Sequence, residues 1–290
     1  MDNIISFNGI NEKVKKIDSI FFNPDIPEEI EKSTDKYKDF VKDNIPQIKK
    51  SVLGLDIYKY SQYKNGKQEL IPFIFDIIFN GAIYYSKYQA LLENTDKEKQ
   101  FISTGDGGFI VFPTPLHSLL FNCNFYKALH MFNSRHIYPE LSKFIGGLTV
   151  RSSITYDSVF NYEKNWYGKA IIKNARILSK DKLNRFLIDK ETFDYFLNRL
   201  NGIESLSIRT KEDIRKILKD EDEIDPKKVN FDNTEFKNIH VQKLEDTVAK
   251  ETKLSIYNLE IQYLSSIKDT KNKQETSFVL TIGNSNVMSI

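Results

Sequence analysis

Three glycines in five positions, Thr104-Gly105-Asp106-Gly107-Gly108, divide the apolar segments 101–103 and 109–112. Glycine accepts positive φ without a steric penalty, so two short strand-forming runs around such a turn predict a β-hairpin with Asp106 at its tip. A second aspartate stands where another strand-forming run breaks. Residues 51–57 carry Val52, Leu53, Leu55 and Ile57 without strict polar alternation, the pattern of a strand buried on both faces, and Asp56 lies near its end. The two carboxylates are fifty positions apart in the chain (106 minus 56). At the ends of adjacent strands they would make an all-oxygen site for hard divalent cations. The competing reading is structural, because aspartate is common in turns.

Between the two, residues 68–94 repeat Leu70, Phe73, Ile74, Ile77, Ile78, Ala82, Tyr85 and Leu91 at helical spacing. The most apolar part of this stretch, from Leu70 to Tyr85, is interrupted by Asp76 and Asn80 and falls short of the roughly 18 to 20 uninterrupted residues of a membrane span, so a buried helix is expected. Residues 94–99 read as a solvated connection. After Pro113-Thr114-Pro115 a second helix is expected to about position 144, with Leu119, Leu120, Phe125, Leu129, Phe132, Ile137 and Leu141 inward and Gly146-Gly147 as its cap. Strands are expected next at 148–155 and 186–188, with a turn at Tyr156-Asp157-Ser158, and helices at 169–179 and 191–200. Residues 210–232 are charge-dense and read as a mobile loop or insertion; strands resume at 239–241, 254–263 and 278–282. The order β-α-β-β-α-β with later additions predicts an α/β (α+β) fold of the ferredoxin-like palm type. Its expected parts are a helical N-terminal extension (1–47), a central domain (48–200), and a C-terminal insertion with closing strands of the same domain (201–290).

Lys and Arg number 42 against 40 Asp and Glu, a formal charge of +2, which gives no electrostatic reason for a nucleic-acid or membrane partner. Any anionic ligand must be held locally. The single cysteine, Cys123, cannot form an intrachain disulfide and sits among aromatics, as a reduced, partly buried thiol would. No positively charged segment followed by an apolar run opens the sequence, and a cytoplasmic location is expected. His117, His130, His136 and His240 show no metal-ligand spacing. Paired carboxylates holding two divalent ions suit in-line displacement at phosphorus, which makes a nucleoside triphosphate the expected substrate.

At three places the sequence resembles the class III nucleotidyl cyclases. Leu55-Asp56-Ile57-Tyr58-Lys59-Tyr60-Ser61 follows that family's first metal motif, an aspartate, a hydrophobic residue and, a few positions on, an aromatic and a hydroxyl residue. Gly105-Asp106 matches the glycine-aspartate of its hairpin. In Trp166-Tyr167-Gly168-Lys169-Ala170-Ile171-Ile172-Lys173-Asn174-Ala175-Arg176, the arginine stands eight positions after the glycine (176 minus 168), as the family's transition-state arginine does. The resemblance implies that Asp56 and Asp106 hold Mn²⁺ or Mg²⁺ through their carboxylates and Ile57 through its main-chain carbonyl, with Tyr60 and Ser61 lining the triphosphate. It makes Arg176 the group that stabilises charge at the α-phosphate, a task suited to a guanidinium, which offers fixed donors and keeps its charge. Arg151 matches a strand arginine that approaches the phosphates, or is equally a sheet-edge ion pair. Lys243, Lys250 and Lys253 are each open to a triphosphate-binding role.

The base-reading positions of the family depart from its purine pattern. Ile102 stands three before the Gly-Asp pair, Asn165 three before Gly168, and Ile172 replaces the helix asparagine that contacts ribose. A site built to hydrogen-bond a base loses much of its discrimination when the partner is missing. These departures resemble the Pycsar pyrimidine cyclases of antiphage defence, over roughly 51–192 plus the strand 255–262. That likeness implies conversion of UTP or CTP, with uridylate cyclase activity favoured, into cUMP or cCMP and pyrophosphate, as a signal for a separate effector protein. Asn165 is the implied base reader, and because an amide can donate or accept, it leaves UTP against CTP open. The family's sites are shared between subunits, which implies a homodimer with two composite sites. Two further readings stand beside this one: a degenerate domain that binds nucleotide without turnover, and a purine cyclase or other palm-type nucleotidyltransferase.

Overall fold

Strand β1 (Ile48–Ile57) lies in the middle of the sheet, and its burial explains why: residues 51–55 are buried without a break, so both faces must be covered. The computed structural model describes residues 47–64, 66–88, 101–162, 165–221, 235–244, 246–249, 252–269 and 274–284. The expected N-terminal extension up to position 46, the connection at 94–99, Lys250 and the charge-dense positions 222–232 lie outside those residues. On either side of β1 run β3 (Gly107–Phe112) and β4 (Val150–Tyr162), both antiparallel to it. β2 (Phe101–Ser103) closes the expected hairpin onto β3, and β6 (Phe186–Asp189) runs parallel to β4. With β10 (Ile256–Asp269) and β11 (Gln274–Gly283) the order is β11-β10-β6-β4-β1-β3-β2. β5 (Asn165–Gly168) folds back on β4, β7 (Glu235–Lys243) pairs with β10, and β8 (Thr247–Ala249) and β9 (Thr252–Leu254) form a separate ribbon. The mixed sheet with its β-α-β-β-α-β core is the palm order expected from the sequence.

Helices sort to two faces of this sheet. α1 (Lys67–Tyr88) and α2 (Pro115–Asn133) cover the face that carries Leu53, Leu55, Ile57, Ile110 and Phe112, which belong to the main core. Polar pairs fix the seating of α2: the hydroxyls of Ser118 and Ser51 lie 2.7 Å apart, and the Tyr126 hydroxyl donates to the Val150 carbonyl at 2.8 Å. α3 (Pro139–Ile145), α5 (Lys190–Leu200) and α6 (Lys211–Glu221) extend the same layer, each giving residues to that core. α4 (Lys169–Lys180) packs on the opposite face, where Ala170 joins Val52, Val111 and Val159, and Ile177 joins Leu187 and Leu254.

Gly54 makes that approach possible. A Cβ there would lie 2.0 Å from Asn174 Oδ1 and 2.7 Å from Leu178 Cδ1, so α4 rests directly on the backbone of β1. Asn174 is fully buried and meets its bonding needs in the sheet. Its Nδ2 donates to the carbonyls of Val52 at 2.8 Å and Ser153 at 3.1 Å, and its Oδ1 accepts from the Ser153 hydroxyl at 2.6 Å.

Four expectations are corrected. The long second helix is two helices, because the chain passes Arg135 and Tyr138 with φ of 64° and 46° before α3 begins on Pro139, whose missing N–H suits a helix start. The turn expected at Tyr156-Asp157-Ser158 lies within β4, which continues because Lys49 and Lys50 pair with Ser158 and Asp157, and β5 pairs with the last four residues of the strand, Val159 to Tyr162. The charge-dense segment is helical as far as Glu221, opened by Thr210 and Asp213, which cap each other: the Asp213 N–H donates to the Thr210 hydroxyl oxygen at 3.2 Å, and the Thr210 N–H to Asp213 Oδ2 at 3.0 Å. Cys123 is fully rather than partly buried, and burial pushes its thiol pKa up. Among the described residues no helix is long and apolar enough to cross a membrane.

Substituting Gly54 by Ala is expected to lower stability by about 1–3 kcal/mol, the usual cost of forcing extra volume into a packed interior. Urea denaturation followed by circular dichroism measures it, and an unchanged midpoint would show that α4 does not rest on β1 in this way.

Candidate active site

The register of β1 against β3 pairs Asp56 with Gly107 and bonds the Ile57 N–H to the Asp106 carbonyl at 3.1 Å. Two aspartates fifty positions apart (106 minus 56) are thereby brought to one end of the central strands. Glycine is required at the contact, since a Cβ on Gly107 would fall 2.1 Å from the Leu55 carbonyl oxygen. The turn itself is tied by the Thr104 N–H to the Gly107 carbonyl at 3.0 Å, with Gly105 at φ 97°. Burial raises the Asp56 carboxyl above the usual carboxylate range; Arg151 offsets part of the rise, and the charge of Asp106 adds to it. The ionised form of Asp56 is therefore short of positive charge, and a cation between the two carboxylates would relieve it. The oxygen-only donor set fits Mg²⁺ or Mn²⁺. Among the described residues no group of three or more His, Cys, Asp or Glu is placed to hold a metal, so phosphate oxygens and water would have to fill the remaining positions.

Arg151 stands opposite Asp56 on β4. Of the two roles open to it, the structure displays the ion pair: Nε donates to Asp56 Oδ2 at 2.5 Å, and Nη1 donates to the Asp181 carbonyl. Asp181 in turn forms a buried pair with Arg185, whose Nε lies 2.9 Å from Oδ1. Directly after β1 the chain enters a 3-10 turn, Tyr60–Gln62, through Lys59 at φ 59°. Ser61 is exposed there, while Tyr60 is half-buried against the core. The Tyr58 hydroxyl donates to the Lys182 carbonyl at 2.6 Å, so the segment after α4 is tied once to the end of β1 and once, through Arg151, to β4.

The two positions expected from the sequence to read the base sit at different places in the sheet. Ile102, on β2 across from Phe109, shares a sheet face with Asp56 by register. Asn165 is exposed at the start of β5, paired with Tyr162, its side-chain oxygen accepting the Trp166 N–H at 2.9 Å.

Arg176 is carried by α4. It lines an open cleft of about 490 Å³ with Lys169, Ile172, Lys173, Asp189 and Lys253, and neither Asp56 nor Asp106 is among the cleft walls. Gly168 sets the helix start: at φ 131° a Cβ would lie 2.6 Å from the Ser158 carbonyl oxygen. Lys169, Lys173 and Arg176 then fall on one helix face. Lys173 is a hub that the sequence reading missed, with Nζ 2.7 Å from Glu191, 2.8 Å from Asp189 and 3.0 Å from Asp157. Burial works against its charge, yet the three carboxylates hold the ammonium above the ordinary lysine range. Asp189 is pushed up to about 6 by burial, which outweighs Lys173, and it also caps α5 by accepting the Thr192 N–H at 2.9 Å. The four-residue step from Lys169 was the one local signal for Lys173; its partners are distant in sequence. Of the three candidate lysines, Lys253 reaches this cleft, and it shares Asp246 with Lys243 at 3.3 and 3.4 Å.

No family model and no curated protein matches the chain. Solved structures do. The guanylate cyclase domain of RhGC from Catenaria anguillulae, in complex with GTP, is similar at 11% identity, over 73% of this chain and 95% of that one, with a TM-score of 0.44. The adenylyl cyclase CyaB from P. aeruginosa is similar at 13% identity, 74% and 95% coverage and 0.40. Adenylate cyclases from Trypanosoma brucei give 14% identity, 73% and 89% coverage and 0.41. These neighbours are adenylyl and guanylyl cyclases. Similarities with TM-scores below 0.5 leave the activity of this chain to be argued from its own residues.

Replacing Lys173 by Met should cost about 3–5 kcal/mol, the penalty for stranding a buried charge without its partner, and Arg should recover part of it. Urea unfolding of the two variants tests this; a loss below about 1 kcal/mol, as for an exposed ion pair, would contradict the hub.

Proposed function

We propose that the chain is a class III type nucleotide cyclase that converts UTP or CTP into its 3′,5′-cyclic monophosphate and pyrophosphate. The observation that carries the proposal is the meeting of Asp56 and Asp106 across the β1–β3 register, beside a carbonyl-bearing strand end at Ile57. Divalent ions held there, Mn²⁺ or Mg²⁺, would neutralise the triphosphate and favour ionisation of the ribose 3′-hydroxyl. Arg176 presents a permanent charge and several donors to the α-phosphate as the 3′-oxygen bonds to phosphorus and pyrophosphate departs. Lys253, on the same cleft, balances the departing phosphates, and Tyr60 and Ser61 flank them on the Asp56 side.

The cleft that Arg176 lines has neither aspartate in its walls, which supports a site that two copies of the chain complete together. A homodimer with two composite sites is therefore part of the reading. β7, β10 and β11 continue the sheet of the central strands, which supports treating the C-terminal part as closing the same domain. The pyrimidine choice is supported by Ile102, which has no group to bond a purine edge, and by Asn165, whose amide suits either pyrimidine. The product would serve as a second messenger in antiphage defence of the Pycsar kind, acting on a separate effector.

Incubating the purified protein with each of the four ribonucleotides and Mn²⁺, and identifying products by mass, tests the reaction. Cyclic UMP or cyclic CMP with pyrophosphate is expected. No product from any nucleotide would favour a binding module, and cyclic AMP or GMP would overturn the pyrimidine assignment. Asp56→Ala and Arg176→Ala should each lower kcat by about 10²–10³ or more. Mixed and exchanged, the two inactive proteins should regain about a quarter of wild-type activity through one intact site per mixed dimer; mixtures as inactive as either parent would contradict the shared site.

A further inference from the structure

The bond from Arg151 places a fixed positive charge on the carboxylate oxygen of Asp56. The guanidinium is anchored twice, by Nε on Asp56 Oδ2 at 2.5 Å and by Nη1 on the main-chain carbonyl of Asp181. The second anchor is itself rigid. Asp181 is buried, and its carboxylate accepts Arg185 Nε at 2.9 Å and the N–H groups of Arg185 and Leu183 at 2.8 and 3.2 Å. Arg151 is thus held beside Asp56 at two points. Proton loss offers no release, since a guanidinium stays charged at any working pH. Exchange of partner does: the pair is open to solvent on one side, with side-chain exposures of 21% and 20%, and a phosphate is a better bidentate acceptor than a single carboxylate oxygen and a carbonyl. A divalent cation brought to Asp56 while the guanidinium remains would meet a like charge at contact distance.

We propose that Arg151 is an internal counter-ion that gates Asp56, so that a divalent cation binds there only as the guanidinium transfers from Asp56 to an incoming triphosphate. Cation and nucleotide then bind as one linked event, each raising the affinity of the other by the same factor. The inference rests on the proposed function for the presence of a cation site, and it adds the order of binding and the residue that enforces it.

The test is a titration of the full chain with Mn²⁺, following the free ion by electron paramagnetic resonance, first alone and then with α,β-methylene UTP. Four proteins are compared: wild type, Arg151→Met, Arg151→Lys and Asp56→Asn, each checked for folding by circular dichroism. Without nucleotide, Arg151→Met should bind Mn²⁺ at least about fivefold more tightly than wild type, the low end of coupling between sites, and Arg151→Lys should fall between. The analogue should then improve Mn²⁺ binding less in Arg151→Met than in wild type. If Arg151→Met does not fold, the lysine variant decides, because its single ammonium holds Asp56 less firmly than the anchored guanidinium. Mn²⁺ affinity in the folded Arg151 variants equal to or weaker than wild type, with Asp56→Asn still reducing binding, would overturn the gate while leaving the metal site standing. Binding that Asp56→Asn does not change, even with the analogue, would remove the metal site and the gate together.

Discussion

The register of β1 between its neighbours sets Gly107 on one side of Asp56 and Arg151 on the other. A slip of one residue would turn Asp56 towards the face covered by α1 and α2 and bring an apolar side chain to its place at the strand end beside Asp106. What prevents the slip is burial on both faces. Leu53, Leu55 and Ile57 enter the main core, while Val52 and Gly54 lie beneath α4, where only a hydrogen side chain at position 54 leaves room for Asn174. The same few residues that make the strand stable thus aim its one carboxylate.

Both halves of the proposed site carry charge that is countered from within the chain. Asp56 is short of positive charge and borrows it from Arg151; the α4 face is rich in cations, and Lys173 is held by three carboxylates. Each arrangement counters a charged group with partners from the chain itself. In the proposed dimer the anionic half of one copy would face the cationic half of the other, a complementary pairing of charge.

The elements legible in the sequence were those with local causes. The glycine-rich hairpin, the doubly buried β1 and the amphipathic α4 following Gly168 all appear where their residues placed them. The break between α2 and α3 was hidden because it depends on left-handed backbone at Arg135 and Tyr138, residue types that do not announce it. β4 ran past its expected turn because its second half finds partners in Lys49, Lys50 and β5, which no local pattern reveals. For the proposed site, motif and spacing point to Asp56, Asp106 and Arg176. They do not reveal the hub at Lys173 or the anchoring of Arg151 on a main-chain carbonyl, since one depends on residues brought together by three elements and the other on an atom every residue possesses.

Anomalous scattering from Mn²⁺, in crystals grown with α,β-methylene UTP, addresses the claim that two half-sites from two copies of the chain make one metal-dependent centre. The account predicts peaks bonded to both Asp56 and Asp106, with the nucleotide lying between those aspartates and the Arg176 face of the second copy. Peaks at neither aspartate, or a nucleotide bound wholly within one chain, would contradict it.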